Sequence, residues 1–323
     1  MMKHLKFLIG FILLVLTALA SFGTFSLPRV EKGDSDRFSA ERASKHIEVI
    51  SKVPHSVEHP VERAQVRRYL YDILEDMGGE PEIHEYDSIK FRYGGYFDIG
   101  NVYCQFDPLS GPADSYIMMV AHFDSRFRQT KLQKTVYSYG AGDDAYGVGS
   151  ILELLSQALK YRDEWHQGVR ILLTDSEENA LDGMKCAAKY NPELFENVGY
   201  VVNLESRGMN GPVLLFETSA NNENVLDLYS EAKAPYGYSL TTVVYRFLPN
   251  NTDFTIVKDS IPGINFSTID NINYYHVDDD NFENINLATI QHYGAQIEPI
   301  LEEFLTSGEY RDPDALKGDE DLV

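Results

Sequence analysis

The sequence predicts an α/β fold in three layers, α/β/α, with helices covering both faces of a central, mostly parallel mixed sheet. Three observations predict it. Short apolar runs of strand length alternate with amphipathic helical runs along the chain. The 323 residues suffice to bury one full core without disulfides. No unit recurs at a period of about 20 to 50 residues, which excludes solenoids and propellers.

The elements follow in order. Ser39 and Arg42 open a helical pattern running through Ile47, Val49 and Ile50. A second helix is predicted over 60–77, with Val66, Leu70, Ile73, Leu74 and Met77 on one face and a stop at Gly78-Gly79. Strands are predicted at 97–104, 116–121, 169–174, 200–204, 213–216 and 263–266. Helices are predicted at 146–161, 181–190 and 287–305. In such folds function collects beyond the C-terminal ends of the strands.

Composition narrows the function. The formal net charge is −22, so the surface repels phosphate backbones and nucleic acid is excluded as a partner. Only Cys104 and Cys186 occur, which allows at most one disulfide. At the N-terminus Lys3, His4 and Lys6 precede an uncharged run over 7–27 that Pro28 and Arg29 end. That run is long enough for one membrane-spanning helix, with the positive end cytoplasmic and the remainder beyond the membrane. The pattern Ala18-Leu19-Ala20 supports the other reading, a signal peptide cleaved after Ala20 and a secreted product. No later stretch reaches about 18 uninterrupted apolar residues, which excludes a multi-spanning transporter. The predicted organisation is a signal-anchor or signal peptide over 1–28, a linker over 29–36, a catalytic domain over 37–307, and an acidic tail over 308–323 that frays.

The metal-capable side chains fall where an α/β site forms. His122 and Asp124 end the 116–121 strand. Asp143 and Asp144 lie between Gly142 and Gly147 at a helix entry; Glu177 and Glu178 follow the 169–174 strand, Glu205 follows the 200–204 strand, and His276 sits in a late loop. A hydrolytic zinc centre needs imidazole and carboxylate ligands, room for water, and a carboxylate base. In His122-Phe123-Asp124 the polar residues are two apart, so at a strand end they face one side and Asp124 can orient the imidazole. Alone, such a pair reads as a surface loop; with five further carboxylates at neighbouring strand ends it reads as a site. Asp144 has a second explanation as a helix N-cap. Asp143 is the better ligand, since flanking glycines let the backbone bend it toward a pocket and its two oxygens can bridge two cations. Glu177 and Glu178, read as extended, point in opposite senses and divide into one ligand and one base.

These stretches, Ala121-His122-Phe123-Asp124-Ser125, 140–147, Asp175-Ser176-Glu177-Glu178, Asn203-Leu204-Glu205 and Tyr275-His276, resemble metallopeptidase family 28, the aminopeptidase Y and leucyl aminopeptidase type of co-catalytic zinc exopeptidase. Pro54-His55-Ser56-Val57 is similar to a segment of its endoplasmic-reticulum branch, although Glu58-His59 departs from that branch's Gly-Ser. The resemblance implies a zinc exopeptidase-like fold and two zinc ions. His122 and Glu205 would hold one, Glu178 and His276 the other, with Asp143 bridging, Glu177 as general base and Asp124 orienting His122. It implies peptides with a free N-terminus as substrates. Glu205 stands where many relatives have aspartate. Asn251-Thr252-Asp253-Phe254 and 261–265 resemble a stretch near the family's substrate pocket and receive no role, while Tyr274, Tyr275 and Phe254 are possible pocket residues. Two alternatives stay open: a glutaminyl cyclase on the same fold, using one zinc, and a noncatalytic ectodomain, against which the retained Glu177 counts.

Overall fold

The computed structural model describes residues 2–24, 27–131, 133–247 and 250–322, with backbone alone at 2–3, 20, 22–24 and 246. In chain order the elements are α1 (Met2–Thr24), α2 (Ala40–Ile50), α3 (Pro60–Asp76), β1 (Glu82–Lys90), β2 (Tyr96–Phe106), β3 (Tyr116–His122), β4 (Gln129–Lys131), β5 (Lys134–Val136), α4 (Ala145–Ala158), β6 (Gly168–Thr174), α5 (Glu177–Ala180), α6 (Asp182–Tyr190), β7 (Val198–Leu204), β8 (Leu214–Thr218), α7 (Glu223–Tyr229), α8 (Ser239–Phe247), α9 (Phe254–Val257), β9 (Gly263–Ser267) and α10 (Leu287–Thr306).

The main sheet has strand order β1-β2-β6-β3-β7-β9-β8. Its centre, β6-β3-β7-β9, is parallel. The flanking strands β1, β2 and β8 run antiparallel. The period of two along β3 splits its side chains between two cores: Met119 and Ala121 pack with α2, α3, α4 and α10, whereas Met118 and Val120 pack with α6 and α9. Every β3 residue is buried, as a strand covered on both faces requires. The four parallel strands therefore deliver their C-terminal ends to one edge, and that edge carries the site.

Three readings need correction. Glu177 and Glu178 are not extended; they form the first turn of α5, because Ser176 adopts a left-handed conformation (φ 63°) that reverses the chain straight after β6. The 308–323 segment does not fray over its described length: Leu316 is 2% exposed and joins the main core, and the Leu322 N–H donates to Asn222 Oδ1 at 2.8 Å. Phe254 is no pocket residue, being fully buried against α6. Cys104 and Cys186 are buried and unpaired.

The described apolar side chains of α1 are exposed, Phe7 at 78% and Leu14 at 69%. Among the described residues no helix is long and apolar enough to cross a membrane. Phe25 and Ser26, at the end of the predicted span, and the side chain of Ala20, at the predicted cleavage point, lie outside the described residues.

Candidate metal centre

Each predicted site residue is placed by a break in regular structure at the sheet edge. His122 is the last residue of β3, and its Nδ1 donates to the main-chain carbonyl of Asp124 at 3.0 Å, with a carboxylate oxygen of Asp124 at 3.5 Å. That bond fixes the tautomer and turns Nε2 toward the site. Asp143 reaches the site from a loop in which Gly140 takes φ +66°, a conformation that costs glycine nothing. The loop is held by Asp280, whose carboxylate accepts the Gly142 N–H at 2.5 Å and the Ser138 hydroxyl at 2.7 Å. The peptide between Asp143 and Asp144 is cis. Asp144 is the N-cap of α4, accepting the Gly147 N–H at 3.1 Å. At Gly147 an added Cβ would meet the capping carboxylate, which accounts for the glycine.

The structure gathers these side chains into two groups that share one residue. His122, Asp143 and Glu205 form the first group; Asp143, Glu178 and His276 form the second; within each, the donor atoms lie within 4.8 Å of one another. Asp143 Oδ1 is 3.1 Å from His122 Nε2, and Oδ2 is 3.1 Å from His276 Nε2. Glu205 Oε2 lies 3.9 Å from His122 Nε2, and Glu178 Oε1 lies 3.0 Å from His276 Nε2. One aspartate thus turns one oxygen to each group.

Whether these residues fit a cation can be judged from the orphaned atoms. Asp143 Oδ2, Glu178 Oε1 and His276 Nε2 are buried and close together, yet none has a partner in hydrogen-bonding geometry. Three buried donor atoms that converge to within ion-pair distance, yet out of hydrogen-bonding geometry, fit a metal ion, since buried polar groups otherwise find hydrogen-bond partners. Mixed imidazole and carboxylate donors suit zinc. The electrostatics agree. Burial disfavours a charged His122, but contacts with Asp124 and Asp143 outweigh it and raise its pKa well above the usual value. His276 is raised to about 9, Glu178 and Asp143 prevailing over burial. Asp143 is held below the usual carboxylate range because the two imidazoles outweigh its burial. Burial, with Asp143 and Asp253 nearby, raises Glu205 to about 8. Glu177 is likewise pushed well up by burial and by Glu205. An acidic cluster that draws protons onto both imidazoles is short of positive charge, which bound cations supply while displacing those protons.

Glu177 and Glu178 owe their position to Asp124, whose carboxylate accepts the N–H of Glu177 at 2.9 Å and that of Glu178 at 3.4 Å. Ser176 and His276 are both left-handed, at φ 63° and 62°. Each such residue costs about 1 to 2 kcal/mol, tolerable only where the surroundings impose it. The resembling segment at 54–57 backs the site: the His55 N–H donates to Ser125 Oγ at 3.0 Å. The 251–265 stretch forms a buried polar network behind it. Asp253 accepts the Thr174 hydroxyl, and Asn265 donates to Thr252 Oγ1 at 2.8 Å while its Oδ1 accepts from Asn203 at 2.9 Å. Tyr275 stacks on His276 with ring centres 3.5 Å apart, and Tyr274 lines the cleft beside Asp143.

Three residues at the site escaped the sequence reading. Arg126 pairs with Glu178 at 2.7 Å, Asp280 holds the Asp143 loop, and Arg207 lines the cleft beside Asp143. Arg126 could have been suspected as the charged residue directly after the Ser125 motif. Asp280 and Arg207 sit among other charged loop residues, and their sequence context carries no distinguishing signal.

The model of peptidase family M28 matches residues 101–301. Endoplasmic reticulum metallopeptidase 1 of Mus musculus is 32% identical over 228 residues, which is 68% of this chain and 24% of that protein. The chain thus spans about a quarter of the length of that relative. Among solved structures, an aminopeptidase from Aneurinibacillus sp. strain AM-1 superposes with a TM-score of 0.67 at 14% identity, covering 89% of this chain and 99% of the other. The glutaminyl cyclase of Porphyromonas gingivalis also gives a TM-score of 0.67, at 18% identity, covering 83% and 99%. At these identities the two likenesses speak for the three-layer fold and do not separate peptidase from cyclase. The family model and the metallopeptidase relative decide the family, and the chain belongs to peptidase family M28.

Proposed function

We propose that this chain is a two-zinc aminopeptidase that removes residues from the N-termini of peptides. The observation that supports it above all is Asp143, with one oxygen facing His122 and the other facing His276. A shared carboxylate between two donor groups suits a pair of cations roughly 3.5 to 4 Å apart. His122 and Glu205 would hold one ion, Glu178 and His276 the other, with Asp143 between them. Zinc held there would supply Lewis acidity, polarising the scissile carbonyl and lowering the pKa of an attacking water. Glu177, fixed by Asp124, takes a proton from the water and returns it to the leaving amine. The acidic side chains around the site attract the substrate's free α-amino group. Asp124 keeps His122 oriented through the contacts at Nδ1.

Glutaminyl cyclisation is the second reading, favoured by the fold likeness to the P. gingivalis enzyme. One experiment separates them. Metal content is measured on the purified full chain, and the chain is assayed on aminoacyl amides beside a glutaminyl peptide, with Glu177→Gln as control. Near two zinc ions with N-terminal trimming lost in the variant supports the aminopeptidase. One zinc with cyclisation replaces it, and no metal sinks both and leaves the noncatalytic ectodomain.

The same proposal tethers the chain to a membrane through its uncharged N-terminal run over 7–27 and places the catalytic domain outside the cytosol. The exposed apolar side chains from Leu5 to Leu19 support attachment to a lipid phase. Alkaline extraction of membranes followed by N-terminal sequencing tests it. An intact N-terminus in the membrane fraction supports the anchor; a soluble chain beginning at Ser21 replaces it with secretion.

A further inference from the structure

Arg207 lies two residues beyond Glu205, where its main-chain N–H donates to the Thr268 carbonyl at 3.0 Å. Arg207 lines two pockets. One is the narrow cleft that holds Asp143 and Tyr275. The other is a cavity of about 340 Å³ lined largely by apolar side chains, among them Leu214, Phe216, Val244 and Ile272. The guanidinium carbon is 6.0 Å from the ring centre of Tyr275, which itself stacks on His276. Among the described residues the Arg207 guanidinium makes no hydrogen bond and no ion pair; it faces the Tyr275 ring and feels Glu205, Tyr245 and Asp143 only at longer range.

Other arginines around the site are paired. Arg126 holds Glu178 at 2.7 Å, Arg128 holds Glu58 at 3.1 Å, and Arg63 holds Asp175 at 3.1 Å. Arg207 differs from them in that its guanidinium lines the cleft with no direct partner of its own. The nearby donor carboxylates do not serve once metal is bound. In the peptidase reading Asp143 and Glu205, the longer-range anionic neighbours of Arg207, are committed to the two donor groups, which leaves its guanidinium donors open to a ligand. A substrate entering the cleft beside Asp143 reaches those donors.

We infer that Arg207 is a specificity residue that pairs with a carboxylate of the substrate next to the scissile bond, while the adjoining cavity receives an apolar side chain. The inference rests on the peptidase reading above. The planar fork of arginine suits a carboxylate, which it can grip by two parallel hydrogen bonds. Two sources offer that group: the side chain of an acidic N-terminal residue, and the terminal carboxylate of a dipeptide.

The test uses the zinc-loaded full chain and two matched substrate pairs. Leu-Phe is compared with Leu-Phe-amide, and glutamyl-p-nitroanilide with glutaminyl-p-nitroanilide. For each pair the ratio of kcat/KM, acid over amide, is measured in wild type, Arg207→Ala and Arg207→Lys. The expected wild-type ratio is about 10- to 100-fold in one of the pairs, the worth of one charge-assisted contact. It should fall toward one in Arg207→Ala and stay partly above one in Arg207→Lys. The pair that shows the ratio identifies the source of the carboxylate. A wild-type ratio near one in both pairs, with all four substrates hydrolysed, overturns the role of Arg207 and leaves the peptidase reading standing. A wild-type preference that survives Arg207→Ala also overturns it. Hydrolysis of none of the four removes both readings together. Arg207→Lys keeps the charge and serves as the readout if Arg207→Ala folds poorly: an unchanged ratio in it together with a wild-type ratio near one overturns the role.

Discussion

The carboxylate of Asp124 accepts the backbone N–H of Glu177 at 2.9 Å, and the main-chain carbonyl of the same aspartate accepts from His122 at 3.0 Å. One residue therefore ties the end of β3 to the first turn of α5, so the imidazole and the doubled glutamate cannot shift independently. Acidic side chains are favoured at a helix start, and here the cap also sets the register of two functional groups. Asp124→Ala removes the cap and the charge beside the imidazole together. The expected outcome is a 10- to 100-fold loss of zinc affinity, the usual scale for a group supporting a ligand, with a parallel fall in kcat/KM. Asp124→Asn keeps one acceptor oxygen and should lose less. Competitive zinc titration of both variants checks this, and wild-type affinity in Asp124→Ala would refute the coupling.

Glu177 has no place in either donor group, which separates its role from theirs. Glu177→Gln should bind zinc as wild type does and lower kcat by about 10²- to 10⁴-fold, the range of a lost general base. Elemental analysis alongside single-substrate kinetics measures both quantities. A variant that loses metal with activity would place Glu177 among the ligands.

The sequence exposes this site well because its residues interrupt apolar runs. His122 ends a buried strand, Glu177 and Glu205 each follow one closely, and strand ends are where an α/β fold presents function. The regions it leaves obscure share a physical cause. β1 is an edge strand whose only buried side chain is Tyr86, so no apolar alternation marks it. The helix α8 contains Thr241, Thr242, Val243 and Val244, β-branched residues that favour strands, so its local preference points away from the helix it forms. The turn of Ser176 into left-handed backbone has no sequence signal, and the expected opposite orientation of Glu177 and Glu178 failed there. Arg207 and Asp280 look like any solvated loop charge until the fold places them beside Asp143.

Asp143 belongs to both donor groups, and His276 to one. Removing them should therefore have unequal consequences. Asp143→Ala is expected to lose both zinc ions, and His276→Ala close to one. Chelation of the wild type should lower Tm, because a ligand bound only to the folded state at about 1,000 times its Kd contributes about 4 kcal/mol. Zinc stoichiometry and thermal scans with and without chelator read these effects. Equal metal loss in the two variants would contradict a bridging role for Asp143.

Acid sensitivity should arise away from the centre as well. His46 lies on α2 with its Nδ1 2.7 Å from the Tyr69 hydroxyl, and burial, followed by the neighbouring Lys45, lowers its pKa to about 4. Burial also lowers that of His292. A histidine titrating below its unfolded value stabilises the fold fully above about pH 6.5, and this contribution is lost as pH falls toward 4, where the folded state too must take the proton. For His46 the amount at stake is on the order of 2 to 3 kcal/mol. The centre's own groups titrate over the same range, so the useful comparison is between wild type and His46→Gln, both zinc-loaded, from pH 7 to pH 4.5. Wild type should lose more Tm over that interval than the variant, whose amide can still accept from Tyr69 without gaining charge. Parallel Tm curves for the two proteins would show that His46 does not set the acid limit.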